Sequence, residues 1–357
     1  MKIAKKCLAL ALTGGILLSL TACSDTTWVY DYDGMKIPSG LYIQMTMEST
    51  SSAQSHEDVD SEISDLFQQT LEGKSAKQWI IDDARELADQ YVAVERKFDE
   101  MGLTLTQDDL DEISVTADNV WSYYGDLYEE NGVAKSTYTT ALTNAKKRDL
   151  IFNAYYGEGG LEEVSEADLK AYYEENFVNI NVFTVSLNTD EDLTEDEEAE
   201  NESRRASVDE YITAINNGSK SFNEVRDEFN HTYYSEMFGE THDENSTSTY
   251  DSAIVDDEES ISYVKKGSTS YPEDVIEAMF NLEADGDAKA IEHEGVYYIT
   301  KRYSNDNTFE EQKENVLTDM KSEDFNALLD SGAEGLDPIV NTAAVNRYDP
   351  QNIKTDV

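Results

Sequence analysis

The chain has very little cysteine, since Cys7 and Cys23 are the only two among its 357 residues. No cysteine follows residue 23. The rest of the chain can therefore form no disulfide within itself, and it offers no thiolate to a metal ion and no cysteine nucleophile. If the chain is exported, it forgoes disulfides in a compartment that permits them, and its stability rests on burial.

Basic residues are also scarce. Lys and Arg number 27 against 76 Asp and Glu, which gives a formal net charge of −49. Nucleic-acid binding depends on basic side chains that neutralise phosphates. Peripheral binding to an anionic membrane depends on clusters of basic residues. The composition argues against both. A charge this large favours solubility and repels similar molecules. The acidic residues either form solvated faces or attract basic unfolded segments.

Histidine is rare, and the four residues show no ligand or catalytic spacing. His231 and His242 are the one pair with acids nearby, but neither lies at ligand spacing on a predicted helix or strand. The chain contains no Ser-His-Asp pattern, nucleophile elbow or phosphate loop. Nine of the thirteen residues from Asp190 to Glu202 are acidic, yet this block lacks the glycine and terminal glutamate of a calcium loop. We expect no metal site and no cofactor.

Long apolar runs are absent after residue 22. Before that point, Lys2, Lys5 and Lys6 precede an uncharged apolar stretch that ends in small residues. This stretch is shorter than the ~20 residues that an ordinary membrane-spanning helix needs. A positively charged N-terminal region, a short apolar region and small residues at its end are typical of a secretory signal peptide.

The end of that stretch, Leu20-Thr21-Ala22-Cys23, closely resembles a bacterial lipobox. The resemblance implies that residues 1–22 are a lipoprotein signal peptide and that the Cys23 thiol is acylated. Two or more acyl chains give lasting attachment, because each buried methylene contributes ~0.8 kcal/mol. The expected location is the outer face of the bacterial cell membrane. The alternative is an ordinary signal with a chance cysteine.

The clearest periodic segment covers residues 76–101. Its apolar residues recur at alternating spacings of four and three: Ile80, Ala84, Leu87, Tyr91, Val94, Phe98 and Met101. This pattern predicts one long amphipathic helix that ends at Gly102. We expect a central helix wrapped by its neighbours, with a coiled coil as the alternative.

On both sides of this helix the pattern predicts further elements. A strand and a turn at Asp33-Gly34 come first, and several helices follow up to residue 177, with a polar break over Ser49–Ser55 and a short helix over 63–71. From Val178 the period changes to that of a strand. Two helices, a strand, a helix near Pro272 and a closing hairpin complete a β-α-α-β-α-β-β module. A final helix begins near residue 309.

This order of elements resembles the PrsA/SurA family of extracytoplasmic foldases. The likeness is carried by Val29–Ser39, by Ser165–Phe177 leading into the module strand, and by Ile276–Leu282 followed by Gly295–Ile299. The resemblance implies an α+β fold, in which a helical SurA-N-like chaperone domain is completed by a C-terminal helix and a parvulin-like module is inserted. The implied bounds are 1–22 for the signal, 23–177 for the helical domain, 178–304 for the module, and 305–357 for the helix and tail that pack on the helical domain.

Parvulins isomerise peptidyl-prolyl bonds in a pocket that the resemblance implies is lined by two histidines, an Asp or Cys, and apolar residues. The resemblance places Thr184 and Tyr297 at the histidine positions. It places Thr269 or Ser270 near the methionine position and Val275 near the phenylalanine position. The family's Gly-Gly-Asp-Leu-Gly loop is absent. The pocket must favour a twisted amide across a barrier of ~20 kcal/mol without covalent chemistry. We predict a catalytically inactive module. Tyr297 is either a core residue or a hydroxyl that contacts a bound backbone.

The leading hypothesis is a membrane-anchored chaperone or foldase that binds unfolded or nascent secreted polypeptides and no nucleic acid. An active peptidyl-prolyl cis-trans isomerase is one alternative, and a non-catalytic lipoprotein that binds an envelope partner is another. Met and aromatic side chains tolerate varied partners. The candidates for client binding, with ordinary core as the other interpretation, are Met45, Met47, Trp79, Trp121, Tyr123, Tyr124, Tyr155 and Tyr156.

Overall fold

The structure is a computed structural model that describes residues 27–63, 65–190, 192–238 and 256–354. The predicted signal peptide and the lipidation site Cys23 lie outside the described residues. The chain divides into two compact units. Of the described residues, the first unit comprises those from 27 to 163 and from 323 to 354, and the second comprises those from 164 to 322. The fold is α+β, as predicted. The domain bounds at residues 177 and 304 stay predictions.

The helices and strands follow one another in the predicted general order. The N-terminal part contains β1 (Trp28–Tyr32), β2 (Met35–Pro38), α1 (Ser39–Gln54), β3 (Thr70–Leu71), β4 (Lys74–Ser75), α2 (Ala76–Glu100), α3 (Gln107–Glu130) and α4 (Lys135–Tyr156). The middle contains α5 (Glu166–Asn176), β5 (Phe177–Ser186), α6 (Glu195–Asn216), α7 (Phe222–Phe238), β6 (Ser262–Lys265), α8 (Glu273–Phe280), β7 (Lys289–His293) and β8 (Val296–Tyr303). The C-terminal part contains α9 (Phe309–Ala333), β9 (Ile339–Val340) and α10 (Thr342–Arg347).

The predicted polar break over Ser49–Ser55 is wrong, because α1 continues through it to Gln54. The hydroxyl of Thr46 donates to the carbonyl of Tyr42 at 2.8 Å, and that of Thr50 donates to the carbonyl of Thr46 at 2.7 Å. Hydroxyls that bond to carbonyls one turn earlier are satisfied within the helix. The helix can therefore bury polar residues without breaking.

The short helix predicted over 63–71 is also wrong. A single 3₁₀ turn covers Leu66–Gln68, and the chain then forms the β3–β4 hairpin. Leu71 is fully buried in a small core with Ala76 and Ile80 of α2. Burial of the one apolar residue on the hairpin, rather than helical periodicity, decides this segment.

Helix α2 is the predicted central helix of the first unit. Ala84 lies in a core with Val29, Ile37 and Leu41 from β1, β2 and α1. Ala88, which is off the predicted stripe, is also fully buried. A helix buried over more than one stripe is covered by several neighbours, in contrast to the narrow seam of a coiled coil.

The C-terminal segment completes the first unit through β1. Strand β9 pairs antiparallel with β1, and the side chain of Asn341 donates to the carbonyl of Trp28 at 2.9 Å. The Arg85 guanidinium donates to the carbonyl of Leu336 at 3.2 Å and also bonds to Asp89. These contacts explain how residues near both ends of the chain share one unit.

From Glu195 onward, the acidic block found in the sequence forms the start of α6. Thr194 caps this helix, and Glu197 accepts a hydrogen bond from the Thr194 backbone in return. That bond lowers the pKa of Glu197 below its usual value. Acids in the first helical turn complement the helix dipole. The block therefore has a local structural role in the described residues.

Candidate functional site

The second unit is built on a four-stranded antiparallel sheet with the strand order β6-β5-β8-β7. Together with α6, α7 and α8 it reproduces the predicted β-α-α-β-α-β-β order. One face of the sheet packs Phe183, Val185 and Ile299 against α6 and α7. The other face packs Val178 and Ile180 against α8. The two faces are therefore separate environments for a site.

Thr184 and Tyr297, the predicted positions of the parvulin histidines, lie on opposite faces of this sheet. Thr184 pairs with Tyr298, whereas Tyr297 pairs with Val185. Residues directly opposite across two strands share a face, and adjacent residues alternate. Tyr297 packs against the α6–α7 core, while Thr184 is exposed. The structure does not bring these two side chains into one groove.

The other two predicted positions differ from each other in exposure. Val275 is fully buried in α8, where it packs with Ile276 and Met279. Thr269 is exposed in the loop before that helix. Between them in sequence, Tyr271 meets Tyr298 edge-to-face at 5.9 Å between ring centroids. Burial raises the pKa of Tyr271, so its hydroxyl stays protonated. Val275 belongs to the packed core of the module.

Sequence reasoning missed a buried polar network on the α6–α7 face. The Asn181 side chain donates to the carbonyl of Asp257 at 2.9 Å and to the hydroxyl of Tyr303 at 3.1 Å. The Ser260 hydroxyl lies within hydrogen-bond distance of the side-chain oxygens of Asn181 and Asn223, at 3.2 and 3.0 Å. Burial raises the pKa of Tyr303. Asn181, an amide between the apolar residues Ile180 and Val182 of β5, is the sequence signal that marks this network.

The same network fixes the start of α7. The Asp257 carboxylate accepts hydrogen bonds from the backbone N–H groups of Phe222 and Asn223 at 3.0 and 2.9 Å. Carboxylates at this position satisfy the unpaired N–H groups of a helix and complement its dipole. All the donors and acceptors named here are used for structure, and none is an activated nucleophile or base.

Among the described histidines, His293 lies next to a predicted position, because it pairs with Val296, the residue before Tyr297, although it is on the opposite face of the sheet from Tyr297. His56 is in the first unit, and His231 is an exposed residue of α7. His293 ends β7, with its Nδ1 2.8 Å from Oδ2 of Asp274, and this hydrogen bond lowers the pKa of Asp274. His242, the other half of the predicted metal pair, lies outside the described residues. Within residues 27–63, 65–190, 192–238 and 256–354, no cluster of three His, Cys, Asp or Glu side chains is arranged to hold a metal ion.

The aromatic residues predicted to bind clients divide into buried and exposed groups. Met45 and Tyr156 are buried, and Trp121 stacks on Tyr128 at 5.7 Å between ring centroids. Tyr123 and Tyr124 in α3 are 78% and 53% exposed. The remaining candidates, which are partly buried, are Met47, Trp79 and Tyr155. Exposed aromatic surface therefore concentrates on α3 among these residues.

Helix α3 exposes other large apolar side chains as well. Leu110 and Val115 are 44% and 58% exposed, while the buried residues of α3 are Ile113, Ala117 and Gly125. In the described part of the chain, no helix is both long and apolar enough to cross a bilayer.

The comparisons with known proteins give structural neighbours only. No family model and no curated protein matches the chain. The chain is similar to a crystal structure of foldase protein PrsA from Streptococcus pneumoniae, at 16% identity and a TM-score of 0.36, over 82% of this chain and 99% of that one. It is also similar to PrsA from Lactococcus lactis, at 12% identity and a TM-score of 0.34, over 92% and 100% of the two chains.

A third similar structure is PrsA from Bacillus subtilis, at 13% identity and a TM-score of 0.28, over 93% of this chain and 94% of that one. The order of strands and helices in this chain is the order that its sequence resemblance implies. These three solved structures are PrsA foldases, the family that the sequence of this chain also resembles.

Proposed function

We propose that this protein is an extracytoplasmic foldase or holding chaperone, which binds unfolded or nascent secreted polypeptides without catalysing prolyl isomerisation. The observation that carries the proposal is the exposed apolar surface of α3, where Tyr123 and Val115 are more than half exposed. Exposed apolar side chains bind partners that expose apolar segments of their own. Tyr adds a large contact area with a polar tip, which suits varied partners.

The arrangement of the sheet supports the absence of catalysis. An isomerase pocket needs groups that converge on one prolyl amide, because catalysis depends on contacts that strengthen in the transition state. Thr184 and Tyr297 point to different faces, and Val275 is used in packing. Their assignment as inactive parvulin positions remains part of this proposal.

The proposal includes attachment to the outer face of the cell membrane through an acylated Cys23. The lipobox-like residues 20–23 support it, and attachment places the client-binding surface where exported chains emerge unfolded. The excess of acidic over basic residues, 76 against 27 in the full sequence, keeps such molecules apart when they are crowded on a membrane.

The test is suppression of client aggregation by the purified protein. We expect wild type to keep a chemically unfolded client soluble, and the double variant Tyr123→Ser with Tyr124→Ser to be about tenfold less effective. Burying two such rings contributes about 1.4 kcal/mol or more, which corresponds to that factor. Light scattering of the client over a range of protein concentrations measures the effect.

The matched control is Asp126→Ser with Glu129→Ser, which changes two residues of the same helix that carry charge instead of a ring. This control is expected to retain suppression. If wild type leaves aggregation unchanged at several-fold molar excess, the chaperone proposal is wrong. If both double variants lose suppression equally, α3 does not act through its aromatic surface.

A further inference from the structure

A cavity of about 350 Å³ lies beside one end of β5. We call it the β5-edge cavity. It is lined by Phe183, Thr184, Val185 and Ser186 of β5, by Arg204 of α6, and by Arg226, Phe229 and Asn230 of α7. This volume lies near the lower end of the range for small-ligand sites, about 300–1,000 Å³. Such a cavity accommodates a few side chains of a peptide.

Among the described residues, no strand pairs with this edge of β5 beyond Ile180. Strand β6 pairs with β5 only along Phe177–Ile180, whereas β8 pairs with it as far as Ser186. The N–H of Leu187 donates to the carbonyl of Gly295 on the β8 side. In an antiparallel pair, alternate residues direct their backbone groups to opposite sides. The N–H and C=O groups of Thr184 and Ser186 are therefore directed away from β8, toward the open edge.

One of these groups already has a hydrogen-bond partner in the described part of the chain. The carbonyl of Ser186 accepts a hydrogen bond from the Arg204 guanidinium, which also pairs with Glu200. The backbone groups of Thr184 have no hydrogen-bond partner among the described residues. An exposed strand edge of this kind pairs with an extended peptide.

Arg226 gives the cavity a charge preference. It is partly buried, and within the described parts of the chain it has neither an ion-pair nor a hydrogen-bond partner, although acids outnumber bases by 76 to 27 in the whole sequence. A guanidinium presents a planar set of donors that matches a carboxylate with two parallel hydrogen bonds. A carboxylate entering the cavity gains this partner without displacing an existing one.

The remaining wall is apolar. The rings of Phe183 and Phe229 lie 5.5 Å apart between centroids. They offer contact to an apolar side chain next to the carboxylate. The strand edge, the guanidinium and the aromatic wall together fit one kind of ligand. It is an extended peptide segment that carries a carboxylate next to an apolar side chain.

We propose that the β5-edge cavity binds an extended peptide segment that carries a carboxylate, either an acidic side chain or a C-terminal carboxylate. The segment adds to the open edge at Thr184, Arg226 pairs with the carboxylate, and Phe183 and Phe229 hold the adjoining apolar residue. The residues of this site are distinct from the exposed surface of α3, and the site does not depend on the foldase role.

The test uses the whole protein and short fluorescent peptides of alternating valine and threonine. The first has a central aspartate and blocked ends, the second has asparagine in its place, and the third has asparagine with a free C-terminal carboxylate. We expect the aspartate peptide to bind about tenfold more tightly than the blocked asparagine peptide, as one charge-assisted pair allows. If the third peptide binds as tightly as the aspartate peptide, the site accepts a chain end as well as an internal acid, and if it binds weakly, the site requires an internal acid.

Two variants locate the binding. Arg226→Met is expected to remove the preference for aspartate, and Arg226→Lys is expected to retain part of it. Arg205→Met, which changes an exposed arginine of α6 outside the cavity lining, is expected to leave it intact. N-methylation of the peptide backbone is expected to abolish binding, because it removes the donors that a strand edge requires. Equal affinity for the two blocked peptides, or a preference that survives Arg226→Met, overturns the proposal.

Discussion

Replacing Val275 with aspartate is expected to unfold the second unit under conditions in which the wild type is folded. Val275 is fully buried between α8 and the sheet, and its neighbours are apolar. An isolated carboxylate in such a core costs more than about 4 kcal/mol, because neither water nor a hydrogen-bond donor compensates it. Val275→Ala, which only leaves a small cavity, is expected to cost about 2 kcal/mol.

The matched control is Thr269→Asp, at the other apolar position that the parvulin resemblance implies. Thr269 is exposed, so we expect a change within about 0.5 kcal/mol. Hydrogen–deuterium exchange with mass spectrometry measures both variants, because peptides from β5 and β8 report on the second unit separately. If the Val275→Asp variant keeps native protection of β5, α8 borders an open pocket and this account of its packing is wrong.

Truncation of Tyr173 to alanine is expected to destabilise the second unit by about 4 kcal/mol, as for other buried aromatic residues. Tyr173 is fully buried against Phe177 and Phe309. Its hydroxyl donates to the side-chain oxygen of Asn179 at 2.9 Å and lies 3.0 Å from the hydroxyl of Thr308. These contacts tie α5 to β5 and to the start of α9.

Conservative variants separate the contribution of the Tyr173 ring to stability from the contribution of its hydroxyl. Tyr173→Phe keeps the ring but leaves the Asn179 oxygen without this donor, at a cost of about 1–3 kcal/mol. Tyr172→Phe removes a hydroxyl that donates to Asp319 at a partly exposed site, and we expect a change of less than about 1 kcal/mol. Urea unfolding followed by exchange in β5 gives the three values. A larger loss of stability for Tyr172→Phe than for Tyr173→Phe would contradict this account of the contacts among α5, β5 and α9.

The sequence predicted elements best where one strong periodicity dominates. The stripe through Ile80, Ala84 and Phe98 located α2 to within one residue of its end, because its apolar face and the following glycine agree. The order of the module was predicted because its strands and helices are bounded by clear turn residues. The prediction of a break over Ser49–Ser55 was wrong because composition does not show which hydroxyls donate to carbonyls within a helix, as that of Thr50 does.

The candidate site was harder to predict because it depends on strand register. A shift of one residue moves a side chain to the other face of a sheet, so placing Thr184 beside Tyr297 required pairing that no local pattern specifies. The polar network joins Asn181 to Asp257 across 76 positions, and the β5-edge cavity depends on where β6 stops pairing. Both features arise from tertiary contacts between distant segments.

The central proposal is that the protein binds unfolded polypeptides through its surface and does not catalyse prolyl isomerisation. The most direct test is the cis–trans exchange rate of a proline-containing peptide, measured by a protease-coupled assay with increasing amounts of the protein. The account predicts the uncatalysed rate at every concentration. An acceleration that grows with protein concentration and disappears in Tyr297→Phe would contradict it.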